Sequence, residues 1–209
     1  IQEHLASRVR RTRLTKPVEF VAGTDVSYDA ARGVYTAGIV VLRADTLETV
    51  EEQTARGRTP FPYVPGFLSF REIPPLAKAL AKVRTRVDLL IVDGQGIAHP
   101  RRLGLASHLG LLAQIPAIGC AKSRLCGAHR EPGQKRGSSV SLKDERTDEE
   151  IGRVLRTRDG VAPLYVSVGH LITLPEAEKW VLRLANRSRI PEPTKRADQL
   201  VGRERRALS

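Results

Sequence analysis

Three carboxylates stand out by where they fall in the chain. Asp93 closes the apolar run Leu89 to Val92, in DLLIVDGQG. Asp25 interrupts a strand-like stretch, VAGTDVSY, and Glu72 lies in FLSFREIPP at the entrance to a helix. An acid in or at the end of an apolar strand is unfavourable unless it is paired or holds a metal. Hard oxygen donors of this kind suit Mg²⁺, with Mn²⁺ as a substitute, ions that also bind phosphate oxygens and activate water. Taken one at a time, each acid also has a structural explanation. Asp25 could cap a turn, Glu72 could be a solvated helix-end charge, and Asp93 could form an N-cap or Asx-turn.

Other residues near these acids fit chemistry on a phosphate. Lys122 follows the short strand PAIGCA, and a lysine beside acids stays charged and can meet a phosphate; otherwise it is a surface lysine. Gly94-Gln95-Gly96 opens like a dinucleotide fingerprint, but the third glycine position is His99, so the turn fits close approach of backbone to a flat ligand better. Pro62-Tyr63-Val64-Pro65 is an aromatic between two stiffening prolines, a shape that can wedge into a base stack or pack the loop onto the body. His99 and His170 lack zinc spacing and read as core or loop histidines. Arg101 and Arg102 open the next helical pattern as candidate phosphate contacts. Ser107-His108 has no G-x-S-x-G around it and carries no hydrolase reading.

These residues need a scaffold. Basic residues dominate 1–16, which read as a short helix or arm. Strands follow at Val18 to Ser27, Val34 to Arg43 and Leu47 to Thr54, a meander with short turns. Residues 57–66 are irregular, and a helix starts near Pro74-Pro75. The strand ending at Asp93, a helix over 101–113 and a strand over Pro116 to Ala121 come next, and 128–139 is a loop. Thr147-x-x-Glu150 reads as a capping box opening a helix through Ile151, Val154 and Leu155, closed by Gly160. Leu164 to Val168 is a strand, and Thr173-x-x-Glu176 opens another helix. The basic stretch 187–209 reads as a flexible tail. This order predicts one α/β domain over 1–209, a mixed sheet flanked by helices with the site at its strand ends.

Composition narrows the partners. Lysine plus arginine is 35 and aspartate plus glutamate 23, a net charge of +12. That excess favours a polyanion, nucleic acid ahead of an anionic membrane surface. The 2 cysteines exclude a disulfide framework and fit a reducing compartment. No apolar run reaches transmembrane length and no signal peptide is visible; a cytoplasmic location is expected, and separately a monomer.

The segments VAGTDVSY, PYVPGFLSFRE, VDGQGIAHPRRLGLASHLGLL, IGCAKSRLCG and LYVSVGHLITL resemble, in order, the motifs of the endonuclease V family, and PEPTKRAD resembles the ending of its bacterial members. The resemblance implies an RNase H-like fold and a Mg²⁺-dependent endonuclease acting on deoxyinosine in DNA. It implies hydrolysis of the second phosphodiester bond 3′ to the lesion, leaving 3′-hydroxyl and 5′-phosphate ends. Asp25, Glu72 and Asp93 match the metal-holding carboxylates, Lys122 the lysine at the phosphate, and His170 a position near the metal centre. Tyr63, with Pro62, Val64 and Pro65, matches a strand-separating wedge. Gly66, Leu68, Gly94, Gly96, Gly104, Leu105 and Ala121 match the lining of a pocket for a flipped hypoxanthine, with His99 beside it. The chain reads PYVP where PYIP is common, and DGQG where many bacterial members have DGHG. Two alternatives stay open: the same scaffold acting on inosine in RNA, and a nucleic-acid-binding protein without catalysis.

Overall fold

The structure, a computed structural model, describes all residues except 30, 59, 60, 63, 65, 208 and 209. A short helix, α1 (Gln2–Ala6), precedes three strands, β1 (Phe20–Asp29), β2 (Val34–Arg43) and β3 (Thr49–Arg58). Helix α2 (Leu68–Leu80), strand β4 (Leu89–Val92), helix α3 (Leu105–Ala113) and strand β5 (Ala117–Ala121) follow. Strands β6 (Ser139–Lys143), β7 (Glu150–Leu155) and β8 (Leu164–His170) and helices α4 (Leu174–Leu184) and α5 (Glu192–Arg206) complete the chain. One sheet of 8 strands runs β3-β2-β1-β4-β5-β8-β7-β6. β1, β4 and β5 are parallel and every other pair is antiparallel. This is the expected RNase H-like mixed sheet.

Strand alternation divides the core. Leu89 and Ile91 of β4 pack with Val181 and Leu184 of α4 and Ala197 and Leu200 of α5. Leu90 and Val92 pack with Ile73 and Leu76 of α2 and Leu105 and Leu109 of α3. A strand covered on both faces has no polar side, which is why β4 reads as an unbroken apolar run.

Several elements depart from expectation. Helix α2 begins at Leu68, not near Pro74, and carries Pro74 and Pro75 inside it. Pro75 has no N–H for the Arg71 carbonyl four residues back; the Tyr28 hydroxyl donates to that oxygen at 3.1 Å instead. Helix α3 starts only at Leu105, because Arg102 has φ +56°. The third strand starts two residues late and reaches Arg58, Leu47 being in a turn at φ +60°.

The expected helix after Thr147 is strand β7. Asp144 caps the preceding turn, accepting from the Arg146 and Thr147 amides at 2.9 and 3.0 Å, and pairing on both sides with β6 and β8 outweighs the local helix signal. By contrast, the capping box at Thr173 forms as expected. The flexible tail is also corrected: α5 packs on β1 and β2, burying Ala197, Leu200 and Val201. Gly23 and Gly38 admit it. A Cβ at Gly23 would lie 2.0 Å from the Pro193 carbonyl carbon, and one at Gly38 would lie 2.7 Å from Val201 Cγ2.

Candidate active site

Parallel pairing sets the first two acids side by side. Thr24 of β1 is level with Val92 of β4, so the next residues, Asp25 within β1 and Asp93 just past the end of β4, sit side by side. Glu72 reaches the same place from α2, where Leu68, Glu72 and Leu76 recur every four residues along one helix face. A cleft of ≈ 220 Å³ is lined by these three α2 residues with Thr24, Asp25, Val26, Asp93 and Leu105. It lies at the carboxyl ends of parallel strands, where α/β sheets place ligands.

The acids crowd one another. Burial, then the charges of Asp25 and Asp93, push Glu72 up to about 8, with Arg71 opposing. Burial, then Asp93 and Asp198, push Asp25 up to about 6, with Lys122 opposing. The Lys122 ammonium hydrogen-bonds the Asp93 carboxylate. Although burial works against its charge, that bond and the acids around it raise the Lys122 pKa above the ordinary lysine value. The cleft thus holds more negative than positive charge.

The donor set is all oxygen and suits Mg²⁺, which keeps several of its waters. Among the described residues, no three His, Cys, Asp or Glu side chains are gathered closely enough to hold a metal ion by themselves. Asp25, Glu72 and Asp93 line a cleft rather than a closed shell.

The neighbouring residues divide by role. A Cβ at Gly94 would sit 3.3 Å from Leu105 Cβ, so this glycine leaves room in the cleft beside Leu68 and Leu105. Gly96 and Gly104 do something else than line an open wall. A Cβ at Gly96 would fall 2.0 Å from the Val168 carbonyl oxygen, and one at Gly104 2.2 Å from that of Gln95. Both let backbone segments pass close together. Ala121 is buried at the end of β5, next to Lys122. Gln95 ties the turn after Asp93 to the lysine's segment, its Nε2 donating to the Ser123 carbonyl at 2.9 Å.

His99 is buried, and burial and then Arg101 hold its pKa down at about 4, against a hydrogen bond to the Gly66 backbone. It is a neutral tie at pH 7. Arg101 and Arg102 are committed to internal partners rather than free for phosphate. Arg101 bonds Gln2 and the Gly66 carbonyl and lies 4.5 Å over the Phe67 ring. Arg102 pairs with Asp144 at 2.8 Å and with Glu149 at 3.4 Å.

His170 is not near the acids. Antiparallel pairing sets it opposite Ala117, at the start of β5, whereas Lys122 follows the other end of that strand. Its Nδ1 accepts from the Arg10 amide at 3.2 Å, fastening the N-terminal segment. Of the wedge, Pro62 and Val64 are exposed, and Tyr63 and Pro65 lie outside the described residues.

Two contributors escaped the sequence reading. Asp198, on α5, acts electrostatically on Asp25 and Lys122. Arg189 holds the Lys122 carbonyl at 3.0 Å while also bonding those of Ala162 and Pro163. The available signal was the apolar spacing Ala197, Leu200, Val201 after Pro193, which marks an amphipathic helix.

Among the described residues, no helix is long and apolar enough to cross a membrane. The Endonuclease V family model matches residues 3–199. Endonuclease V of Nostoc sp. is 51% identical over 201 residues, covering 96% of this chain and 90% of that protein. The crystal structure of the Streptomyces avermitilis endonuclease V superposes with a TM-score of 0.92 at 45% identity, covering 100% of this chain and 92% of that one. A Ciona intestinalis endonuclease V, in complex with a 24mer DNA containing an inosine followed by a ribo-adenosine, gives a TM-score of 0.86 at 28% identity, covering 100% and 96%. Matched at this identity over nearly its whole length, the chain belongs to the endonuclease V family.

Proposed function

We propose that this nuclease is a Mg²⁺-dependent endonuclease that recognises deoxyinosine in DNA and hydrolyses the second phosphodiester bond 3′ to it, leaving 3′-hydroxyl and 5′-phosphate ends. The observation that carries the reading is the crowding of Asp25, Glu72 and Asp93 around one cleft, with Lys122 as the cation bonded to Asp93. Carboxylates whose pKa values rise to about 6 and about 8 are waiting for positive charge. Asp25, Asp93 and Glu72 would hold Mg²⁺ or Mn²⁺. Once bound, the ion supplies Lewis acidity toward water and phosphate oxygens.

The protein's own groups do the rest. Lys122, kept charged by Asp93, neutralises a phosphate oxygen. Glu72 retains its proton near neutral pH until a cation draws it off. Leu68, Gly94 and Leu105 offer apolar surface and close backbone approach to an extruded base, with Gly66, Gly96, Gly104, Ala121 and His99 fixing the surrounding backbone. Extrusion requires a few kcal/mol, less for a mispaired base. Tyr63, flanked by Pro62, Val64 and Pro65, fills the vacated stack; that role rests on the sequence resemblance alone. We assign no catalytic part to His170.

We take the protein to act as a monomer in the cytoplasm; its cysteines, Cys120 and Cys126, are free, as suits a reducing compartment. Inosine in RNA is the second reading, favoured by the ribonucleotide after the inosine in the Ciona complex; the 2′-hydroxyl decides between them. The test is nicking of end-labelled strands carrying deoxyinosine or inosine, with Mg²⁺ or with chelator. Metal-dependent cuts one nucleotide beyond the lesion's 3′ neighbouring bond are expected on the DNA. Cutting of the RNA alone selects the second reading, and binding without cutting removes catalysis.

A further inference from the structure

Gly66 joins the wedge segment to the start of α2, and its φ of +79° favours glycine. Its carbonyl is held from two sides: Gln2 Nε2 donates at 3.0 Å and Arg101 Nη2 at 3.3 Å. Gln2 Oε1 in turn accepts from Arg101 Nε. Gln2 is 5% exposed, so both ends of a buried amide are engaged. The Arg101 guanidinium also stacks over Phe67, the residue after Gly66, and the Phe67 amide bonds the Val64 carbonyl at 2.9 Å. One residue later, Leu68 lines the acidic cleft.

We infer that Gln2 is a positioning residue for lesion recognition. It locks the segment that carries the wedge to the loop that follows Asp93, and so sets how well the two grip a substrate that Gln2 does not touch. The inference rests on the proposed deoxyinosine reading. Glutamine is suited to the place because one amide offers a donor to a carbonyl and an acceptor to a guanidinium. Leucine offers neither, and glutamate keeps only the acceptor. Gln2→Leu therefore breaks both links, while Gln2→Glu keeps the one to Arg101 and sets a negative charge against the Gly66 carbonyl.

The full chain and both variants are compared in two measurements. Amide hydrogen exchange over 66–70, without nucleic acid, should accelerate about tenfold in Gln2→Leu, the loss expected for one or two hydrogen bonds. Steady-state cleavage of a deoxyinosine strand with Mg²⁺ should show KM raised about tenfold and kcat within about twofold, the pattern of lost uniform binding. Gln2→Glu should fall between the wild type and Gln2→Leu in both. Unchanged exchange overturns the inference, as does a fall in kcat with KM untouched. A wild-type chain that leaves the deoxyinosine strand intact defeats the functional reading, and the exchange measurement still judges the link.

Discussion

The Tyr28 hydroxyl donates at 3.1 Å to the Arg71 carbonyl, the helical acceptor that Pro75 leaves without its donor. The Arg71 guanidinium lies 3.9 Å over the same tyrosine ring. A strand side chain thus repairs the proline gap in the helix that carries Glu72. Tyr28→Phe keeps the ring and removes the donor. It should lower stability by about 1 kcal/mol, read as a shift of the denaturant midpoint. No shift would mean that the carbonyl finds another partner.

Asp93 serves two neighbours, the cleft and Lys122. Asp93→Asn keeps its size and removes its charge. Cleavage should fall by more than the roughly 10–100-fold usual for groups one step removed from a metal. Binding of a deoxyinosine strand in chelator should persist, measured by gel shift. Near-normal cleavage would take Asp93 out of the metal site.

Glu72 and Asp25 titrate at about 8 and about 6 in the folded chain, above their ordinary 4.5 and 3.8. An acid with a raised folded pKa binds more protons folded than unfolded. The metal-free protein should therefore lose stability as pH rises from the ordinary values toward the folded ones. Between about pH 4.5 and about pH 8, Glu72→Gln should lose less stability than wild type in chelator. Mg²⁺ affinity should rise through the same window, with proton release visible as a buffer-dependent heat. Parallel stability curves for the two proteins would contradict the raised Glu72 value.

Gly23 lets α5 lie against β1, where a Cβ would meet Pro193 at 2.0 Å. Gly23→Ala should destabilise the protein by about 1–3 kcal/mol or more, as overpacking does, measured by urea denaturation. The same substitution should weaken cleavage, because α5 brings Asp198 toward Asp25. A neutral result would return the 187–209 stretch to the loosely held tail that its composition suggests.

What the sequence determined by itself was whatever depends on residues close along the chain. The apolar run Leu89 to Val92 announces a strand covered on both faces, and an acid at its end is conspicuous. The Thr173 capping box closes within one helical turn. Five ordered motifs were enough to indicate the family, because a family pattern is itself a statement about sequence. Tertiary structure decided what depends on partners remote along the chain. Thr147-x-x-Glu150 has the same local pattern as Thr173-x-x-Glu176, yet flanking strands β6 and β8 claim it for the sheet. Antiparallel register carries His170 to the far end of β5. Arg101 and Arg102 look like free phosphate ligands until Gly66, Gln2, Asp144 and Glu149 fold against them. The tail becomes a helix on the sheet because two glycines, on β1 and β2, leave space for it. Local propensities reach only a few residues, whereas burial and pairing energies come from surfaces that meet only once the chain has folded.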